Sequence, residues 1–202
     1  MATPTSTVDP ETRARIVDVA DGLFYARGFQ SVGMDEIRTG AGVSLKKLYA
    51  AFPGKDQLVA AVLGGRHEYW EHGIEQAVAA AGTPRDRLLA MYDFLEQWFG
   101  DDTFRGCGFI NAFGELGATS PAVAEIAREH KESFQRYVAG LAAAAVPGAG
   151  AAEELAAQLA LLAEGAQTTA AIAGDPAPAR HARRAAEVLI DAATRAQGDH
   201  RG

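Results

Sequence analysis

The sequence has one cysteine, Cys107, among 202 residues. A single cysteine cannot form a disulfide within the chain, and no C-x-x-C pair is present that would suggest zinc binding or redox chemistry. The reducing cytoplasm is therefore the expected location. The apolar run of a secretion signal or membrane span is also missing, because Glu, Gln and Gly interrupt the alanine-rich stretches. We expect a cytoplasmic protein without a membrane partner.

Motifs that support catalysis are missing as well. The chain contains no G-x-S-x-G, no G-x-x-x-x-G-K and no H-E-x-x-H sequence. Its histidines have no metal-ligand spacing to carboxylates. We predict no catalytic residues, no metal and no cofactor. The alternative is an enzyme that modifies a small molecule in an aromatic cavity, but the sequence contains no set of catalytic residues to support it.

Basic residues are scarce, and the net charge is −7. Residues 1–60 contain seven Lys or Arg and seven Asp or Glu, so the whole excess of negative charge belongs to residues 61–202. A nonspecific polyanion binder would need a broad basic surface. Any binding to DNA should therefore involve a few local cations and depend on salt.

Two short apolar patterns of helical period meet at Gly42, within the stretch Gly33 to Phe52. Gly42 can adopt the positive φ that ends a helix, and Ser44 can cap the next helix by accepting a hydrogen bond from a backbone N–H. Lys46 and Lys47 then lie at a helix N-terminus, where the helix dipole disfavours cations, so they indicate an anionic partner. A helix-turn-helix on DNA has this arrangement, with its second helix entering the major groove.

These residues resemble the N-terminal signature of the TetR family of one-component bacterial transcription regulators. The resemblance extends from Arg13 to Leu58, and the segment Arg105 to Ala112 is similar to one found in some members. It implies a ligand-responsive, dimeric regulator that binds operator DNA, more often a repressor than an activator. The residues that carry it are Ile37, Ala41-Gly42-Val43-Ser44, Leu48-Tyr49, Phe52, Lys55 and Leu58.

The predicted DNA contacts lie on the second helix of the motif and beside it. Lysines there would contact phosphates or base edges, the Tyr49 hydroxyl would donate to a phosphate, and small apolar side chains would meet a thymine methyl. A solvated charged face, or packing of Tyr49 on the next helix, is the alternative. The predicted contact residues are Arg38, Ser44, Leu45, Lys46, Lys47, Tyr49, Ala50 and Lys55.

Some positions of the motif depart from the family pattern. Gly33 stands where Ser or Thr commonly caps the first helix, and Arg38 stands where a small residue lets the two helices approach. Ala50 and Ala51 stand where larger polar residues are common. A helical interaction protein with a degenerate DNA-binding head is therefore the alternative function.

Glycine and proline divide the chain into helical segments without convincing strands. We predict an all-α protein of about nine helices, with a flexible arm over 1–8 and a helix-turn-helix domain over 9–54. A helical effector-binding and dimerisation domain follows over 55–197, and a loose tail over 198–202. The helix that begins at Lys55 is expected to be interrupted at Gly64-Gly65, either as a hinge or as a weak point.

The second predicted domain is rich in aromatic residues that would enclose a small, largely apolar effector. The alternative for each aromatic residue is that it belongs to the ordinary hydrophobic core. For Cys107, the alternative to a redox sensor is a small buried hydrophobe. A buried amide such as that of Asn111 needs a partner, either backbone or ligand. The predicted lining residues are Trp70, Tyr92, Trp98, Cys107, Phe109, Asn111, Phe113, Glu115, Phe134, Tyr137 and Gln167.

The last two predicted helices consist largely of alanine, and together they have too few bulky residues to form a hydrophobic core by themselves. We predict that they pair with a second copy in a symmetric four-helix interface. Such a homodimer presents two recognition helices to half-sites about 34 Å apart. The predicted interface residues are Leu155, Leu159, Leu162, Ile172 and Leu189.

Overall fold

A computed structural model describes residues 8–199, and all regular secondary structure in this part of the chain is α-helical. The predicted all-α class is confirmed. The predicted arm lies outside the described residues apart from Val8, as does the predicted tail from residue 200 onwards; residues 198 and 199 are helical. The helices are α1 (Pro10–Arg27), α2 (Met34–Ala41), α3 (Leu45–Ala51), α4 (Lys55–Ala79), α5 (Pro84–Phe99), α6 (Gly108–Leu116), α7 (Pro121–Ala145), α8 (Ala149–Ala173) and α9 (Ala177–Asp199).

The described chain packs into two compact units. The first runs to His67 and also includes Gly108–Arg128, whereas the second comprises Glu68–Cys107 and the described residues from Glu129 onwards. The first unit is thus larger than the predicted 9–54 domain, because it adds α6 and the N-terminal parts of α4 and α7. None of the helices described is long and apolar enough to cross a membrane.

Local capping residues determine where α1 and α3 begin. Asp9 accepts a hydrogen bond from the backbone N–H of Thr12 at 2.8 Å, and Pro10 takes the first position of α1. This backbone hydrogen bond lowers the pKa of Asp9 to about 2. Gly42 ends α2 with a left-handed φ of 64°, and the Ser44 side chain accepts from the first turn of α3. The predicted turn is confirmed.

Two arginines of α1 close the C-terminal ends of α2 and α3. Arg15 Nε donates to the carbonyl oxygen of Ala41 at 3.1 Å, and Arg13 Nη1 donates to that of Ala51. The last carbonyls of a helix have no partner within it, so these bonds satisfy groups that would otherwise need water. The Arg13 guanidinium also lies 4.0 Å from the centre of the Phe52 ring. α1 therefore fixes both helices of the motif.

The first unit has an apolar core that joins α1 to α2, α3 and the start of α4. Phe24 and Phe29 stack with ring centroids 5.1 Å apart. The burial of large side chains is the main favourable contribution to folding of such a unit. Its fully buried residues include Ile16, Phe24, Phe29, Ile37, Leu48, Phe52, Leu58 and Leu63.

The core of the second unit lies among α5, α8, α9 and parts of α4 and α7. Alanines of α8 allow close packing, and the Tyr92 hydroxyl donates to the Leu159 carbonyl oxygen at 2.8 Å. Exposed ion pairs contribute only ~0–1 kcal/mol each, so this packing supplies most of the stability. Three such pairs link α9 to α5: Arg85–Asp191 at 2.9 Å, Arg180–Glu96 at 2.8 Å and Arg183–Asp93 at 2.7 Å.

α4 runs without a break from Lys55 to Ala79. The predicted interruption at Gly64-Gly65 is therefore wrong, because both glycines take part in the helix. Apart from the backbone of α4 itself and the adjacent residues, no heavy atom lies within 4 Å of the position that a Cβ atom would occupy at either glycine. Side chains can be added there without a clash.

We expect the double substitution Gly64→Ala/Gly65→Ala to raise the free energy of unfolding by about 1–2 kcal/mol, since glycine in a helix costs about 0.5–1 kcal/mol relative to alanine. Urea unfolding followed by circular dichroism measures this change. Gly73→Ala is the contrasting control, because its Cβ would lie 2.5 Å from the Phe94 ring. A double variant no more stable than the parent would contradict the interpretation of this pair as a weak point of α4.

Candidate functional site

One side of the short helix α3 is anchored and the other is exposed. Leu48 and Ala51 are buried, whereas Leu45 is 47% exposed and Tyr49 45% exposed. Large apolar side chains left in solvent on one helix face indicate a binding surface. We call this surface the α3 face; it consists of Leu45, Lys46, Tyr49 and Ala50, all of them exposed.

The two lysines of α3 differ in their surroundings. Lys46 is exposed and has no ion-pair partner within residues 8–199. Lys47 instead donates to Thr12 Oγ1 at 3.0 Å, and its Nζ atom lies 3.3 Å from Asp9 Oδ2. Lys46 is therefore available to an external anion, while Lys47 already has a partner at the start of α1.

The other two predicted cations also have internal partners. Arg38 Nε pairs with Asp35 at 2.8 Å. Lys55 Nζ donates to the carbonyl oxygens of Val32 at 2.7 Å and Gln30 at 3.4 Å. Burial lowers the pKa of Lys55. These bonds tie the start of α4 to the α1–α2 turn, and the DNA contact of Lys55 stays a prediction.

Helix α6 contacts the same turn. Glu115 accepts a hydrogen bond from the backbone N–H of Gln30 at 2.8 Å, and the Gln30 side chain donates to the Glu115 carbonyl oxygen. The carboxylate lies so close to Gly28, whose φ is 90°, that a Cβ atom there would be 3.0 Å from Oε1. Glu115 was predicted to line an effector cavity, and the structure places it on the α1–α2 turn instead.

Three more of the predicted effector-lining residues belong to the first unit. Phe109 is buried, and its ring centroid lies 6.4 Å from that of His67. Asn111 is half-buried and has an interaction partner. Phe113 is exposed, which does not fit the lining of an enclosed cavity.

The remaining predicted lining residues belong to the second unit, where several aromatics form a cluster. The Trp70 ring centroid lies 5.0 Å from that of Phe134, and the Trp98 ring centroid lies 5.1 Å from that of Phe104. Tyr137 is half-buried, and burial raises its pKa.

Among the polar groups of this unit, the Tyr92 hydroxyl is occupied by the Leu159 carbonyl. Gln167, only 3% exposed, adds a buried amide. Cys107 is buried, as expected of a small hydrophobe, with Lys131 Nζ 3.9 Å from its sulfur.

The predicted dimer interface needs a correction. Leu155 and Leu159 are buried in the core of their own subunit, so a partner cannot reach them, and Leu162 and Leu189 pack partly against the same core. The sequence signal was ambiguous because both faces of these helices carry apolar residues. Among the described side chains of α8 and α9, the large hydrophobic ones that are exposed are Leu161 (72%), Ile172 (84%) and Val188 (66%). A groove of about 380 Å³ lies beside Leu161, between α7 and α8.

Comparisons with known proteins relate both parts of the chain to one family. Residues 16–62 match the family model for bacterial regulatory proteins of the tetR family, and residues 84–186 match that for the tetracyclin repressor-like C-terminal domain. A crystal structure of a TetR-family transcriptional regulator from Streptomyces coelicolor has a TM-score of 0.85 and 26% sequence identity, covering 93% of this chain and 98% of that one.

Two curated relatives from Mycolicibacterium smegmatis match shorter segments. The HTH-type transcriptional activator FasR is 37% identical over 90 residues, which are 43% of this chain and 41% of FasR. The HTH-type transcriptional repressor KstR is 32% identical over 87 residues, which are 43% of each chain. Each alignment thus covers less than half of the relative.

Proposed function

The chain belongs to the TetR family of bacterial transcriptional regulators, and on this basis we propose that it binds operator DNA through α3 and is released by a small-molecule effector. The observation that carries this proposal is the exposed α3 face on a helix whose opposite side is buried. Arg13 and Arg15 of α1 hold the ends of both helices of the motif. A helix held in this way can enter a major groove without rearrangement.

Within the α3 face, Lys46 is the best candidate for a phosphate or base-edge contact, and Tyr49 for a phosphate contact. Leu45 and Ala50 supply apolar contact to a thymine methyl. Ser44 caps α3 through the Lys47 N–H at 3.2 Å, so its role is to fix the start of the helix. Arg38 donates through Nε to Asp35, and its Nη groups remain as donors to a phosphate.

We propose a homodimer formed through Leu161, Ile172 and Val188 and the small residues between them. Exposed aliphatic side chains on alanine-rich helices fit a self-complementary interface. Two copies then present two α3 helices to half-sites about one helical turn apart. We further propose a cytoplasmic protein that acts as a regulator and not as an enzyme.

The effector is proposed to be a small, largely apolar molecule that binds in the second unit. Trp70, Phe134 and Tyr137 would provide aromatic contacts, and the buried amide of Gln167 one polar contact. The bound molecule would change the pose of α4, whose first residue is bonded to the α1–α2 turn. Coupling is reciprocal, so operator DNA should weaken effector binding by the same factor.

Repression is the proposed mode of action. One relative is named an activator and another a repressor, so the direction needs its own test. A reporter gene placed behind the selected operator should be expressed more strongly when the regulator gene is deleted. Lower expression after deletion would identify an activator.

Selection of binding sites from a random pool of DNA duplexes tests the DNA-binding proposal. We expect the full-length protein to enrich a sequence with two half-sites. Lys46→Ala should bind this sequence about 5–20-fold more weakly, and the slope of log affinity against log salt should fall by about 0.9, the value for one phosphate contact. Fluorescence anisotropy at several salt concentrations measures both quantities. Arg136→Ala removes another exposed positive charge, on α7 of the second unit, and should bind like the parent. No enrichment at low salt would favour the degenerate-head interaction protein.

A further inference from the structure

Lys47 is paired with an anion of its own chain at the point where α3 would meet DNA. Its ammonium contacts the hydroxyl of Thr12, which is buried, and the carboxylate of Asp9, whose side chain is 55% exposed. The side chain of Lys47 is itself 42% exposed. The pair therefore lies at the surface, next to Lys46, where a phosphate can approach it.

The Asp9 carboxylate carries a full charge under all ordinary conditions. The hydrogen bond from the Thr12 backbone lowers its pKa to about 2, so protonation does not release Lys47 near neutral pH. An ion pair between exposed groups is weak and exchanges readily. A DNA phosphate that approaches the start of α3 thus competes with a permanent negative charge for one ammonium.

We propose that Asp9 acts as an internal competitor of the operator phosphate, and that Lys47 exchanges the Asp9 carboxylate for a phosphate when α3 enters the groove. This inference rests on the proposed function. Asp9 would then influence operator affinity although its carboxylate makes no favourable contact with the DNA. The exchange leaves the Asp9 carboxylate without its cation in the complex, which offsets part of the gain from the new phosphate contact.

Asparagine at position 9 separates the charge of Asp9 from its capping role. Asn is as good an N-cap as Asp, so α1 should keep its start. Without the charge of Asp9, the whole free energy of the contact between Lys47 and a phosphate contributes to operator affinity. In the parent, the freed Asp9 carboxylate takes up a cation and offsets part of the counterion release at the phosphate that Lys47 contacts, so Asp9→Asn should steepen the salt slope by up to about 0.9, the value for one phosphate.

The experiment uses full-length protein and the duplex that the parent enriches from a random pool, with anisotropy measured over a range of sodium chloride concentrations. We expect Asp9→Asn to bind about 3–10-fold more tightly than the parent, with a steeper salt slope. In a Lys47→Ala background the same substitution should change affinity less than about twofold. Asp18→Asn is the matched control, because it removes one exposed carboxylate from the same helix, and it should have little effect.

Three results would overturn the inference. Weaker binding by Asp9→Asn would mean that the carboxylate positions Lys47 for DNA, and a gain that persists without Lys47 would mean a general effect of charge. Asp9→Ser, which also keeps a cap, should reproduce the gain if Asp9→Asn lowers the melting temperature. If the parent enriches no duplex, the proposed function fails; if the parent binds and Asp9→Asn is no tighter, only this inference fails.

Discussion

Replacing Leu161 and Ile172 together by aspartate is expected to make the protein monomeric and to weaken operator binding by about 100-fold or more. The two side chains are 72% and 84% exposed in the single chain, so aspartates there cost the isolated subunit little. In the proposed dimer they would be buried without partners, and burial of unpaired carboxylates is strongly unfavourable.

DNA affinity is expected to fall because a monomer has one helix-turn-helix unit, whereas the proposed dimer has two. Two linked heads bind their half-sites with an effective concentration that raises affinity by about 10²–10⁴ over one head. Analytical ultracentrifugation measures the subunit state, and anisotropy with the selected duplex measures the affinity. Tyr69→Asp is the control, since Tyr69 is similarly exposed but lies on α4. A double variant that remains dimeric would show that another surface holds the two copies together.

The substitution Leu48→Ala is expected to lower the free energy of unfolding by about 2–5 kcal/mol, the range for truncating a fully buried leucine. Leu48 is completely buried on the side of α3 opposite the α3 face. Its removal leaves a cavity beneath the helix proposed to read DNA. Urea unfolding monitored by circular dichroism measures the change.

Leu45 provides a matched comparison on the same helix. Because Leu45 is exposed, Leu45→Ala should change the free energy of unfolding by no more than about 0.5 kcal/mol. It should nevertheless weaken operator binding if the α3 face contacts DNA. Equal destabilisation by the two substitutions would mean that both sides of α3 are packed within the protein.

Features determined by neighbouring residues could be predicted from the sequence. The start of α1 at Asp9-Pro10, the left-handed Gly42 and the Ser44 cap depend on residues within one turn of the helix. Their conformational preferences are local and strong. The helix-turn-helix therefore follows from about twenty residues.

Partners distant in the sequence were not predictable in this way. Gln30 and Glu115 are 85 residues apart, and no periodicity indicates that they meet. The charge and position of Lys47 and Lys55 predict DNA contacts but do not indicate the partner that each has in its own unit. The pattern of apolar residues also could not tell the core of one subunit from the surface between two, as Leu159 illustrates.

The hydrogen bonds from Arg13 and Arg15 of α1 to α2 and α3 affect how the helix-turn-helix can change during evolution. Those bonds end on backbone oxygens, Ala41 and Ala51, so they do not depend on which side chains α3 displays. The residues that support α3 and the residues proposed to read DNA are thus separate sets. If the α3 face reads DNA as proposed, substitutions at Leu45, Lys46, Tyr49 and Ala50 would alter the recognised sequence while the framework beneath persists, and duplicated copies of one gene would then be able to diverge toward new targets.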